Sequence, residues 1–359
     1  MVNLIRTWID RYFSNPQVII LGLILISGFL FVLYFGTMLA PVLAAVVIAF
    51  LLEGMVGWLI RLKVPRKVAV LVVFIFFMAC LAILLVWLLP LLSRQIGQFI
   101  QDLPSMIAKG QNEMMRLPER YPDLVSQSQV QQFISAMGTQ LTVAAQRLLS
   151  LSLASVRGVI TIIVYLILVP LLVFFFLKDK EMIINWSKGF LPDHRTLATT
   201  VWQEVNEQVV NYIRGKIWEI LIVWSVTWIT FMILDLKFAV LLSLFVGLSV
   251  LIPYIGATIM FLPVGFIAYY QWGLSSQFAY TMIAYSIIQA LDGNLLVPLL
   301  LSGVVNLHPI AIIVAVLLFG GLWGIWGLFF AIPLATLVHS VVKALVNTYS
   351  RERLEKPDE

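Results

Sequence analysis

Apolar residues in this chain fall in long uncharged runs, without the alternation or three-to-four spacing of elements that face water on one side. Stretches free of Asp, Glu, Lys and Arg cover Gln17–Leu52, Val68–Ser93, Gly158–Leu177 and Ile220–Leu234. Residues Phe238–Val342 hold one charged side chain, Asp292, in 105 positions. About 20 apolar residues cross a bilayer as a helix. Hydrocarbon gives backbone amides no partner, so such runs must be helical wherever they face lipid. The pattern predicts an all-α polytopic transmembrane protein of about eight spans. Its C-terminal half is expected to carry broken or re-entrant helices, and an amphipathic helical segment is expected outside the cytoplasm.

Charge placement divides the chain. The first run reads as two spans, Val18–Phe35 and Met38–Ile60, turning near Gly36 and Pro41, with a third over Val68–Leu92; residues 1–92 form an N-terminal module. Arg61, Lys63, Arg66 and Lys67 lie between spans two and three with no acid among them. A short basic loop marks the cytoplasmic side, and two spans before it put the N-terminus there too. Residues 93–155 then lie outside. Ile96, Phe99, Ile100 and Leu103, and later Val130 through Leu148, sit at helical spacing. These amphipathic helices either pack on one another or on neighbouring subunits, or lie flat among headgroups. Residues 156–217 comprise a fourth span and an inner hairpin turned at Leu191-Pro192-Asp193. Residues 178–219 carry six basic and six acidic side chains, which predicts water exposure. Residues 218–347 are the expected transport core, and 348–359 a cytoplasmic tail.

Composition sharpens this reading. Of 359 residues 61% are hydrophobic and 11% charged, far from the quarter charged of soluble domains. That excludes a water-soluble enzyme and a nucleic-acid module. The net charge of +5 resides at span ends, where it orients the chain instead of binding nucleic acid. Cys80 is the only cysteine, so no intrachain disulfide forms.

Helix breakers cluster in three groups: Pro253, Gly256, Pro263 and Gly265; Gly293, Pro298, Gly303 and Pro309; and Gly320, Gly321, Gly324, Gly327 and Pro333. Proline costs about 3 kcal/mol and glycine about 1 kcal/mol inside a helix. The first two groups predict discontinuous helices or re-entrant hairpins, as in transporter sites built from interrupted spans. The third fits close helix packing. Asp292 stands in Gln289-Ala290-Leu291-Asp292-Gly293-Asn294. An intramembrane acid is functional by default, and this one could bind solute, proton or cation. The competing reading is turn chemistry, with Asp292 capping a helix that starts near Leu295. Asn294, Gln289 and Tyr254 would supply neutral hydrogen bonds. Backbone groups freed at Pro253, Gly256, Pro298 and Gly303 would complete the site. His308, before Pro309, could titrate near neutral pH or simply sit at the interface.

No P-loop, HExxH or CxxC occurs, and one lone acid cannot make an aspartyl protease. Neither enzyme activity nor a cofactor or metal is expected.

From Lys178 onward the motifs resemble the autoinducer-2 exporter family of bacterial membrane proteins. They are Phe176-Leu177-Lys178-Asp179, Tyr212-Ile213-Arg214-Gly215, Ile252-Pro253-Tyr254-Ile255-Gly256, and Asp292-Gly293-Asn294 with Pro298, Gly303, Leu307-His308-Pro309, Gly320-Gly321, Gly324, Gly327 and Pro333-Leu334. Val64-Pro65-Arg66-Lys67 matches the family's opening module. The charge pattern and an even number of spans put both termini in the cytoplasm; the resemblance implies an inner-membrane permease, a homo-oligomer (pentamers are expected), and a small-molecule or ion substrate. Signal-molecule export and cation-for-proton exchange both fall within that family. A membrane scaffold that binds partners without transport, and a passive channel, are the alternatives.

Overall fold

The computed structural model describes residues 16–116, 118, 128, 156–189, 196–253, 255–301 and 307–355. Among them ordered structure is helical, with no strand. The helices are α1 (Pro16–Arg61), α2 (Arg66–Met115), α3 (Val156–Lys178), α4 (Lys180–Lys188), α5 (Thr196–Ile233), α6 (Ala239–Ser249), α7 (Ile255–Trp272), α8 (Ser276–Leu301), α9 (Pro309–Trp323) and α10 (Ile325–Glu355). Five described helices are long and apolar enough to cross a membrane, or six if the pair Ile162–Lys178 and Lys180–Trp186, bent by 79°, counts as one span. Three shorter apolar helices accompany them. These lengths do not by themselves establish the eight crossings expected from the sequence.

Three boundaries differ from expectation. The first apolar run is one helix of 46 residues with Pro41 inside it, not two spans with a turn. One proline in an apolar helix bends the rod without ending it. A single rod removes the basis for placing the N-terminus beside the basic loop, because Pro16 then points away from Arg61. Next, α2 does not stop at Leu92 but continues to Met115, carrying its apolar stripe beyond the uncharged run. The second amphipathic pattern, Val130 to Leu148, lies outside the described residues. Finally, α5 runs from Thr196 through Ile233 without a break. The inner segment and the fifth span are therefore one helix, while the turn at 191–193 lies outside the described residues.

Two ends of the bundle can be told apart by their polar contacts. At the basic end Glu53 Oε1 of α1 accepts from Arg66 Nη1 at 3.2 Å and from Lys180 Nζ at 3.0 Å. Arg66 Nη2 also donates to the Leu177 carbonyl at 3.3 Å. The loops at 61–67 and 178–181 thus share one face, as the charge pattern predicts. At the opposite end Lys237 Nζ lies 3.7 Å from Asp102, and Lys109 donates to the Tyr270 carbonyl at 2.7 Å. Gln271 braces the turn between α5 and α6, accepting from Lys237 N and donating to the Asp235 carbonyl, each at 2.8 Å.

Those contacts define two helical hairpins. Helices α6 and α7 begin and end at the opposite end, because Gln271 returns to Asp235 and Lys237. Eleven residues of α6 rise about 16 Å, half the hydrocarbon thickness of about 30 Å, before the turn at residues 250–253. Helices α9 and α10 form a second hairpin turned at Gly324, whose φ of +59° suits glycine. Ile312, near the start of α9, packs with Leu301, Tyr212 and Ile213 on the basic side. Ile252, at the tip of the first hairpin, packs against Ala315, Val316 and Phe319 of the second. The first and third breaker groups therefore lie in two hairpins whose tips meet, and the third also packs its arms closely, as expected, with Gly320 against Leu328 and Gly327 against the Phe319 carbonyl.

The second group behaves differently. Gly293 and Pro298 do not interrupt α8; the helix passes through them as a π-turn, Asp292–Leu296. Proline has no N–H, and its ring presses on the carbonyl four residues back. Widening the turn just before Pro298 relieves that clash. The same device recurs in α2, where the π-turn Leu84–Leu88 precedes Pro90. A Cβ built on Gly293 meets nothing within 4 Å, so Gly293→Ala is expected to leave stability unchanged or raise it by up to about 1 kcal/mol. Thermal unfolding in detergent checks this; a clear loss would show that Gly293 packs against something.

Helix α5 is the hub, touching α1, α6, α8 and α10. Glycines allow two of these approaches. A Cβ on Gly215 would stand 2.8 Å from the Leu300 carbonyl oxygen of α8, and one on Gly247 of α6 would stand 2.7 Å from Trp224 Cβ. The main core joins α5, α6, α7 and α8 through Val223, Phe231, Leu242, Val246, Val264 and Tyr285, with Met106 of α2 inserted.

Candidate functional site

The buried stripe of α5 carries Tyr212, Lys216, Glu219, Val223, Thr227 and Phe231. Their spacing of three or four residues places them on one face. Two of them are charged. Lys216 Nζ donates to Glu219 Oε1 at 2.9 Å and Oε2 at 3.0 Å, with side-chain exposures of 3% and 2%. The expectation that residues through 219 face water is therefore wrong for this pair. The helix geometry explains it: positions 216 and 219 continue the apolar stripe of the span, while Arg214 faces outward. An i,i+3 pair of opposite sign inside an apolar stripe was the signal that net charge over the segment concealed.

Across from this pair stands Asp292. Its π-turn packs on α5, and the Lys216 ammonium acts electrostatically on both Glu219 and Asp292. Sixteen residues separate Ser276 from Asp292, so the acid lies about 24 Å along α8 from the opposite end. Asp292 Oδ1 is buried and accepts no hydrogen bond from the described residues. One turn earlier Gln289 Nε2 is likewise buried without a partner among them. Asp292 caps no helix, since its φ and ψ of −59° and −58° are those of a helix interior. Turn chemistry is thus excluded as its reason for being there.

Asn294 is used otherwise than expected. Its Nδ2 donates to the Ala290 carbonyl one turn back at 2.8 Å. This amide holds the turn that presents Asp292, so it is a positioning residue. Pro298 is exposed and follows the π-turn. Pro253 and Gly256 lie at the first hairpin's tip. The Pro253 carbonyl accepts from Ile255 N at 2.7 Å and the Ile252 carbonyl from Gly256 N at 2.9 Å. His308 is an exposed N-cap of α9, its Nδ1 accepting from Ile310 N at 3.3 Å. Tyr254 and Gly303 lie outside the described residues. Of the nine residues singled out in sequence, Asp292 thus lies with Lys216 and Glu219, Gln289 sits one turn earlier on α8, and Asn294 supports the turn.

Further polar atoms line the same helix. Tyr212 Oη, Thr227 Oγ1, Trp224 Nε1 and Trp228 Nε1 are buried with no partner among the described residues. Trp224 and Trp228 stack with centroids 6.3 Å apart, and Trp87 of α2 meets Trp228 edge-on at 5.8 Å. Buried polar atoms are usually satisfied by protein or water, and these four lie along one helix. No group of three or more metal-ligating side chains occurs among the described residues.

Comparison with known proteins agrees with this architecture. The profile described as AI-2E family transporter matches residues 19–347. PerM of Escherichia coli (strain K12), provisionally named a permease, is 44% identical over 344 residues, covering 96% of this chain and 98% of PerM. YueF of Bacillus subtilis (strain 168), provisionally named a transport protein, is 28% identical over 91% of this chain and 90% of its own length. The AI-2 transport protein TqsA of Escherichia coli (strain K12) is 23% identical over 89% and 90%. With apolar spans, paired hairpins and a buried charge cluster in place, the chain is an integral multi-pass membrane protein that belongs to the AI-2E family of transporters.

Proposed function

We propose that this protein is a secondary transporter of a small polar or amphipathic solute, moved along the α5 face between the two hairpins. The observation that carries the reading is the buried set of Asp292, Gln289, Lys216 and Glu219 at the π-turn of α8. A carboxyl and an amide buried there without protein partners suit a solute with complementary donors and acceptors. Signal-molecule export of the kind named for TqsA is one member of that solute class. The basic end of the bundle is the cytoplasmic side of a bacterial inner membrane under the positive-inside rule, and the molecule works as a homo-oligomer. Alternating access has a natural moving part in the hairpin tips, which meet through apolar contacts at Ile252 and Phe319 and have no interlocking polar bonds there among the described residues.

Accessibility tests this without knowing the solute. In a Cys80→Ser background, a Gln289→Cys variant is expected to react with a membrane-impermeant maleimide in right-side-out or inside-out vesicles. Reactivity should change between conditions that favour inward and outward opening. Complete protection from both faces under every condition would show a dry, packed site and remove the transport path from this region.

A further inference from the structure

The motif Tyr212-Ile213-Arg214-Gly215 turns three of its residues into the bundle and one out of it. Tyr212, Ile213 and Gly215 are buried, whereas Arg214 is exposed at the basic end of α5. Beyond it the outward face of α5 is an apolar stripe, with Trp218, Leu221, Ile222, Val226, Ile229 and Ile233 all exposed. From Trp218 to Ile233 the stripe runs about 22 Å, longer than the roughly 15 Å of hydrocarbon in one leaflet. The Arg214 guanidinium rests against α1: a Cβ built on Gly54 would stand 2.8 Å from its Nη2 and 3.3 Å from its Cζ. Among the described residues it makes no hydrogen bond or ion pair, although Glu207 stands two turns away on the same helix. Beside Gly54, Glu53 already holds Arg66 and Lys180. One turn of α1 thus receives three cations and supplies one carboxylate. Over residues 53–67, 178–181 and 207–214 the basic end carries seven cations and four acids.

We propose that Arg214 binds the phosphate of an anionic phospholipid in the leaflet at the basic end, and that an acyl chain of the same lipid lies along the outer stripe of α5. The planar fork of arginine matches phosphate oxygens bidentately, and the surplus of cations at this turn of α1 favours a ligand with net negative charge. A zwitterionic phospholipid brings its own cation and gains less. The stripe continues from the fork into the hydrocarbon, the order in which a phospholipid presents phosphate and chain. A soluble phosphate would use the fork and leave the stripe bare. Trp218, one turn from Arg214, stands at the level where indoles favour the membrane interface. Gly54 is a positioning residue, since only a missing side chain lets the guanidinium rest on α1. The site lies on the outer face of α5, away from the stripe that carries Lys216 and Glu219, so it stands or falls independently of the transport reading.

Native mass spectrometry of the full chain, delipidated in a neutral detergent, reads bound lipid and subunit number together. The probes are dioleoyl phosphatidylglycerol, dioleoyl phosphatidylcholine and glycerol 3-phosphate. Phosphatidylglycerol should bind about fivefold or more tightly than phosphatidylcholine, the factor for one basic side chain at a lipid surface, and glycerol 3-phosphate should not displace it. Arg214→Gln should weaken phosphatidylglycerol binding by about fivefold or more and remove the preference between the two lipids. Gly54→Ala should weaken it in the same direction, because the added methyl meets only the far end of the Arg214 side chain and shifts it off α1. Unfolding temperatures in lipid-free detergent should not fall in either variant. Lys67→Gln, exposed at the same end, should leave the affinity as it is; a loss equal to that of Arg214→Gln would show diffuse attraction to a basic surface and overturn the site. Equal affinity for the two lipids, unaltered binding in Arg214→Gln, or displacement of the lipid by glycerol 3-phosphate would overturn it as well. A changed subunit number in Ile229→Ser with phosphatidylglycerol binding intact would mean that a second copy of the chain, not an acyl chain, covers the stripe, and would overturn the proposal on that side.

Discussion

Lys216→Met is expected to destabilise the protein by about 3–5 kcal/mol, the cost of leaving a buried ion without its partner. The side chain is nearly inaccessible and makes two bonds to one carboxylate. Its removal strands Glu219 and simultaneously takes away the positive charge that acts on Asp292. Replacing both partners should behave differently. In Lys216→Met/Glu219→Met the desolvation cost of the pair disappears with its attraction, and apolar side chains of similar volume fill the stripe, so most of the loss should be recovered. Lys180→Met provides the contrast at the basic end. That ammonium is 41% exposed, Arg66 still holds Glu53 after its loss, and a change within about 1 kcal/mol is expected. Unfolding midpoints in a single detergent would order the three variants. Equal effects for Lys216→Met and Lys180→Met would mean that the α5 pair is wet and not built into the core.

The membrane character, the all-helical class and the family were legible in the sequence because they rest on run length and on motifs spread over the chain. The interior of the C-terminal half was legible only in outline. Proline and glycine reveal that a helix is disturbed but not how: Pro253 and Gly324 mark turns between antiparallel arms, whereas Pro298 only widens a turn in a helix that carries on. The difference lies in what neighbouring backbone can supply. Asn294 provides a side-chain amide to the Ala290 carbonyl, so α8 survives its breakers. Pro41 shows the same limit in α1, where an apolar rod simply continues. Lys216 and Glu219 escaped notice for another reason. Counting charge over residues 178–219 averages an exposed segment with the start of a span, and only the phase of the helix, read from Tyr212 to Phe231, separates them. Asp292 was identifiable because it stands alone; its partners were not, because they belong to a helix distant in sequence.

The hairpin tips should prove the least tolerant positions outside the charge cluster. Gly256→Ala would place a Cβ on the Ser249 carbonyl oxygen, and Gly327→Ala would place one on the Phe319 carbonyl oxygen. Both obstacles are backbone atoms of the facing arm, which cannot rotate aside as a side-chain end can. Either methyl must therefore push the arms apart, and a loss of about 3 kcal/mol or more is expected for each, at the upper end of overpacking effects. Alanine's better helix propensity returns only about 1 kcal/mol. Gly321→Ala is the matched control, being in the same hairpin with nothing within 4 Å of the added atom, and should be silent. Because Ile252 at one tip packs on the Phe319 cluster of the other, the two sites share a contact, and the double variant Gly256→Ala/Gly327→Ala should lose less than the sum of the singles. Thermal unfolding together with the yield of monodisperse protein measures all four. Strict additivity would mean that the tips do not feel one another, and it would remove the physical basis for a gate that opens one hairpin by moving the other.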